Sequence, residues 1–170
     1  VPAVARVLIV GGGCRGIGLA RALVAEEQAV RVTTRSEAGR AAIEQAGAEC
    51  WIGDPDRLAT MRGALDRVTV LCWMLAGAAG SDEQLSALFG ERLEFFMTQA
   101  IDTTVRGVVY ERGEDEEGRM GELLGGGEAI VRRLAELNRI PLQILAVGPG
   151  DAGWREQALG AIGRLLGQPS

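Results

Sequence analysis

The chain has 170 residues, 47% of them hydrophobic, and a formal net charge of −5. One domain spanning residues 1–170 fits that length; the apolar content excludes a disordered chain, and the acidic balance speaks against a nucleic-acid partner. The longest apolar stretch, Val68 to Gly80, is shorter than the about 20 residues a membrane helix needs, so no membrane is expected as a partner.

Residues 6–10 (RVLIV) read as a short buried strand that stops at Gly11. The spacing of Ile17, Ala20, Leu23 and Val24 predicts a helix over 16–28. A second strand covers 30–34 (VRVTT). Ser36 is placed to cap a helix running through Gln45, and Gly47 to stop it. A third strand covers 48–52, and in the following GDPDRLATMRGAL Asp54 and Pro55 fit the cap and first position of another helix. The fourth strand, 68–75 (VTVLCWML), is apolar on both faces. After the loop AGAAGS, a helix is expected over 81–104 with a break near Gly90. A fifth strand covers 106–111, and residues 112–127 read as a glycine- and acid-rich loop with a short helical turn. A helix over 128–138, a sixth strand over 141–147 and a last helix over 154–166 complete the pattern. Six strands alternating with helices define an α/β fold built on a doubly wound, parallel, six-stranded sheet, with ligands where the strand order reverses.

Some chemistry is missing. There is no histidine, and all 18 basic residues are arginines, which do not deprotonate in proteins. Proton transfer falls to Asp, Glu, Cys, water or the single Tyr110. Histidine-based zinc chemistry is excluded, and no metal is expected. Cys14, Cys50 and Cys72 are odd in number and widely spaced, and the opening residues lack a secretory pattern, so a reducing, cytoplasmic setting is expected.

Gly11-Gly12-Gly13-Cys14-Arg15-Gly16 satisfies GxGxxG between the first strand and the first helix, the setting in which that motif carries meaning. A side chain at the first glycine blocks the tight turn, one at the second holds the backbone off a pyrophosphate, and one at the third pushes helix from strand. The helix start then offers free N–H groups and a positive dipole. The same residues fit a second spacing, Gly12-x-x-x-Gly16-x-Gly18. This resembles the phosphate loop of the short-chain dehydrogenase/reductase superfamily, as do the acid Asp54 after the third strand and Ala76-Gly77 after the fourth. The resemblance implies a Rossmann domain that binds a nicotinamide dinucleotide through Gly11, Gly12, Gly13, Cys14, Arg15, Gly16 and Ile17.

NAD binders carry a carboxylate at the end of the second strand. Here that segment is Thr33-Thr34-Arg35-Ser36. Arg35 is a fork of donors suited to a 2′-phosphate, with the Thr34 and Ser36 hydroxyls beside it, so NADP is expected over NAD. Glu37, within reach of a ribose, argues the other way. By the resemblance, Arg15 also holds that phosphate, Asp54 contacts the adenine amino group or serves only as a cap, and Ala76 and Gly77 let the ribose approach. Leu75 stands where the relatives carry asparagine.

The best-known relatives move protons with a Ser–Tyr–Lys set. This chain has no lysine, no serine between Ser86 and Ser170, and no YxxxK, so the resemblance carries cofactor binding without the standard chemistry, and Tyr110 is the remaining catalytic candidate. Two readings stay open: a cofactor-dependent sensor or atypical member, and an NAD(P)H-dependent oxidoreductase or epimerase-like enzyme with a non-standard proton donor. A small-molecule substrate would meet the loop after the fourth strand, loop 112–127 and residues 148–154, where Tyr110, Glu111, Arg112, Arg119, Asp151 and Trp154 are candidates. Cys14, opening a helix beside Arg15, is a candidate oxidant-sensitive residue. The run 114–117 reads as a solvated loop, and the stripe Leu93, Phe96, Met97, Ile101 as core packing or a homodimer face.

Overall fold

A computed structural model describes residues 6–114 and 117–167. Its six strands are β1 (Arg6–Gly11), β2 (Ala29–Thr34), β3 (Glu49–Ile52), β4 (Val70–Met74), β5 (Gly107–Glu111) and β6 (Leu142–Leu145). All five pairings are parallel, in the order β3-β2-β1-β4-β5-β6. The helices are α1 (Gly13–Ala25), α2 (Arg40–Gln45), α3 (Asp82–Leu88), α4 (Glu91–Ile101), α5 (Arg119–Asn138) and α6 (Trp154–Leu165). This is the doubly wound Rossmann arrangement that the alternating pattern predicts, and its order reverses between β1 and β4, where Gly11 pairs with Met74. Among the described residues no helix is long and apolar enough to cross a membrane.

Alternation along each strand sorts the core into two layers. Leu8, Val10, Leu71, Trp73 and Val108 face α3, α4 and α5; Val7, Ile9, Val70, Cys72 and Met74 face α1 and α6. Buried on both sides, the central strands read as continuous apolar runs. The α4 stripe belongs to the first layer: Leu93, Phe96 and Met97 are buried and Ile101 packs beside them.

Three segments differ from the sequence expectation. The first helix begins at Gly13 rather than Gly16, so Cys14 and Arg15 lie in its first turn. Residues 53–65 form no α-helix but a turn and two 3-10 segments, Leu58–Thr60 and Arg62–Leu65. The Thr60 hydroxyl accepts from the Asp54 N–H at 2.8 Å, Asp54 Oδ1 accepts from the Asp56 N–H at 2.9 Å, and the Trp51 ring occupies the space beside Gly63. The helix expected from 128 begins at Arg119 and runs through Gly125-Gly126-Gly127. The three glycines do not break the helix, and Gly127 is a packing position: a Cβ there would run into the Tyr110 hydroxyl, which donates to the Leu124 carbonyl at 2.7 Å. At Ser36 the backbone is extended as a cap requires, yet its hydroxyl caps nothing. The acidic run 114–117 lies partly outside the described residues.

Candidate functional site

A cleft of about 540 Å³ opens at the carboxyl ends of the strands. Its floor is the glycine loop, Gly11 to Gly13; Met74, Leu75, Gly77 and Ala78 after β4 form one wall, and Arg15, Arg35 and Pro149 complete it. Gly11 has φ +85°, and a Cβ there would clash with Leu75 and stand 2.6 Å from the Met74 carbonyl oxygen. A Cβ on Gly16 would stand 2.7 Å from the Gly11 carbonyl oxygen, so helix and strand touch there. Gly13, by contrast, has nothing within 4 Å of such an atom: its open side is the cleft. These are the three separate demands that a pyrophosphate loop makes on its glycines.

The helix start is prepared for an anion. No side chain caps α1 at Gly12, and its first turn holds no acid. The helix α3 is the counter-example: Ser81 and Gln84 close a capping box, and Asp82 and Glu83 complement the dipole. The free N–H groups of α1 thus face a cavity whose size and backbone lining suit a phosphate.

The two arginines at this cleft have different surroundings. Arg35, just past β2, is 57% exposed, and its nearest acid is Asp54, with Nε 3.9 Å from Oδ1. Arg15 reaches in the other direction, to the tip of β5. Its Nη1 donates to Glu111 Oε2 at 2.7 Å, and its guanidinium lies 4.6 Å from the centroid of the Trp154 ring. Glu111 has no solvent exposure. Its Oε2 also accepts from Trp154 Nε1 at 2.6 Å, and its Oε1 accepts from the Ala76 N–H at 2.9 Å. One carboxylate therefore joins α1, β5, the loop after β4 and the start of α6.

The remaining sequence-derived candidates divide in the same way. Asp54 is brought beside Arg35. The Thr34 hydroxyl turns to the Ser36 carbonyl at 3.4 Å, Ser36 is exposed, and Ile17 packs on the α1 side of the core. Cys14 is exposed and lines an adjoining recess of about 240 Å³ with Asp151, Trp154 and Arg155. Tyr110 is fully buried, and burial pushes its phenol well above the ordinary range. It lies outside the cleft lining. Arg112 pairs with Glu128 and Arg119 with Asp82. Leu75 lies at the wall where relatives carry asparagine, and Ala78 and Pro149 fall in the two segments expected to meet a substrate; only Met74 has no sequence signal, since an apolar residue ending a strand is indistinguishable from core.

No protein-family model and no curated protein matches the chain. Solved structures do share its fold. UDP-glucose 4-epimerase from Thermotoga maritima, solved with UDP-glucose, superposes with a TM-score of 0.67 at 13% identity, over 83% of this chain and 54% of that one. UDP-glucuronic acid 4-epimerase from Bacillus cereus, in complex with NAD, gives 0.66 at 14%, over 83% and 55%. Triphenylmethane reductase from Citrobacter sp., complexed with NADP(H), gives 0.64 at 17%, over 82% and 48%. The chain thus spans about half the length of the structures it resembles, and at these identities the likeness is one of fold.

Proposed function

We propose that this chain is a nicotinamide-dinucleotide-binding domain of the short-chain dehydrogenase/reductase type, that it prefers NADP(H) to NAD(H), and that it acts as a cofactor-dependent sensor rather than through the standard Ser–Tyr–Lys chemistry. The observation that carries the reading is the single cleft uniting an uncapped helix start, an open Gly13 and an exposed Arg35. Gly11–Gly16 and the N–H groups of α1 would hold the pyrophosphate, Gly77 would pass close to a ribose, and Arg35 would take the 2′-phosphate. Asp54, beside Arg35, would contact the adenine end. When bound, the nicotinamide would supply hydride chemistry. The chain's own contribution is to grip and orient, because Tyr110 directs its proton at the Leu124 carbonyl inside the core. A second reading, an oxidoreductase or epimerase-like enzyme with another proton donor, draws on the reductase and epimerases that share the fold.

Titrating NADPH and NADH separately, by nicotinamide fluorescence and calorimetry, tests the reading. Tighter binding of NADPH is expected; tighter NADH overturns the role of Arg35, and binding of neither overturns the assignment. Sustained NADPH oxidation across a panel of carbonyls and quinones would favour the enzyme over the sensor.

A further inference from the structure

The buried Glu111 carboxylate belongs to no step above, yet it gathers donors from distant parts of the chain. Three donors from three separate elements converge on its two oxygens, at 2.6, 2.7 and 2.9 Å. The Arg15 guanidinium is thereby drawn to the tip of β5, with the Trp154 ring beneath it. Arg35 stands past the end of β2, and β1 and β4 lie between β2 and β5 in the sheet. Neighbouring strands are about 4.8 Å apart, so the two strand tips are roughly 14 Å apart. A guanidinium held at one tip does not serve a phosphate at the other. Yet Arg15 also lines the cleft, so its stem starts within reach of the ligand and the Glu111 pair decides its direction.

We propose that Glu111 is a specificity-determining positioning residue: it holds Arg15 away from the 2′-end of the bound dinucleotide, leaving Arg35 as the cation that distinguishes NADPH from NADH. The inference rests on the dinucleotide reading above and departs from the role that the loop's resemblance gives to Arg15. It also explains why the carboxylate is joined to Trp154 and the Ala76 N–H: three donors fix the anion, and the fixed anion fixes the arginine.

The test is the ratio of NADPH to NADH affinity, measured by calorimetry on the intact chain. Glu111→Gln keeps the shape but loses the charge, and Gln Nε2 faces donors where the carboxylate had an acceptor. Arg15 is then released, and the ratio is expected to rise roughly tenfold, the worth of one charge-assisted hydrogen bond. The rise should vanish in Glu111→Gln with Arg15→Met, a dependence that a purely structural role would not show. Arg15→Met alone is expected to leave the ratio unchanged, and Arg35→Met to collapse it. An unmoved ratio in Glu111→Gln, or a ratio lowered by Arg15→Met, overturns the proposal while leaving dinucleotide binding intact. Absence of binding by both nucleotides in the unaltered chain ends both readings. Should Glu111→Gln fail to fold, Glu111→Asp, which shortens the reach to Arg15 and keeps the charge, takes its place: a raised ratio supports the proposal and an unmoved one overturns it.

Discussion

The two ends of the cleft set the same side chain in opposite surroundings. At the β2 end Arg35 is exposed and paired loosely, with 3.9 Å to Asp54; at the β5 end Arg15 is clamped at 2.7 Å by a carboxylate with no exposure. The difference is one of solvent and of competition. An exposed pair at that distance contributes well under about 1 kcal/mol, so Arg35 is left free to turn to an anion. A carboxylate already satisfied by a backbone N–H, an indole and a guanidinium yields none of them without leaving a buried charge short of partners. Proximity to a cleft therefore does not make an arginine a ligand; what it is already bound to does.

The largest effect should come from breaking the closed end. Glu111→Ala strands the Arg15 charge and the Trp154 and Ala76 N–H groups, and should cost about 3–5 kcal/mol in urea unfolding. Next is Gly127→Ala, whose new methyl meets the Tyr110 hydroxyl. A loss of about 1–3 kcal/mol is expected, with partial recovery when Tyr110→Phe removes the oxygen. A recovery of nothing would show that the helix backbone, not the hydroxyl, is the obstacle. At the open end, Arg35→Met should change stability by less than about 0.5 kcal/mol while lowering NADPH affinity about tenfold or more. Equal losses for NADPH and NADH would remove the distinction between the two ends. The smallest effect is one of pH. Burial raises the Tyr110 phenol above its ordinary value of 10.0, so the folded state keeps a proton that the unfolded chain releases. The stability this confers is complete below about pH 10 and falls as pH rises beyond it. Phenolate absorbance should accordingly appear only together with unfolding, and its appearance in a chain that keeps its helical circular dichroism would contradict the burial.

The sequence made the sheet legible because buried parallel strands are short apolar runs, and runs such as VLIV and VLCWM have no competing explanation. It made the loop legible because each glycine there answers a separate steric demand. It misled at Gly125-Gly126-Gly127, where glycine reads as a breaker but the helix runs through and Gly127 leaves room for the Tyr110 hydroxyl. It misled again at 53–65, where Asp-Pro has the local chemistry of a helix start and the Thr60 hydroxyl and Trp51 ring impose a turn. The direction of Arg15 was not legible at all. It depends on Glu111, 96 residues away, and no local pattern carries that.

The Glu111 junction also ties together distant parts of the sequence. Its partners are separated from it by 96 residues on one side and 43 on the other, and Trp154 opens α6. The glycine loop, β5 and the start of α6 are drawn from widely separated stretches of the chain. Contacts of such sequence separation form with the tertiary fold and not with any local element, so Arg15 takes its direction only when these three stretches meet.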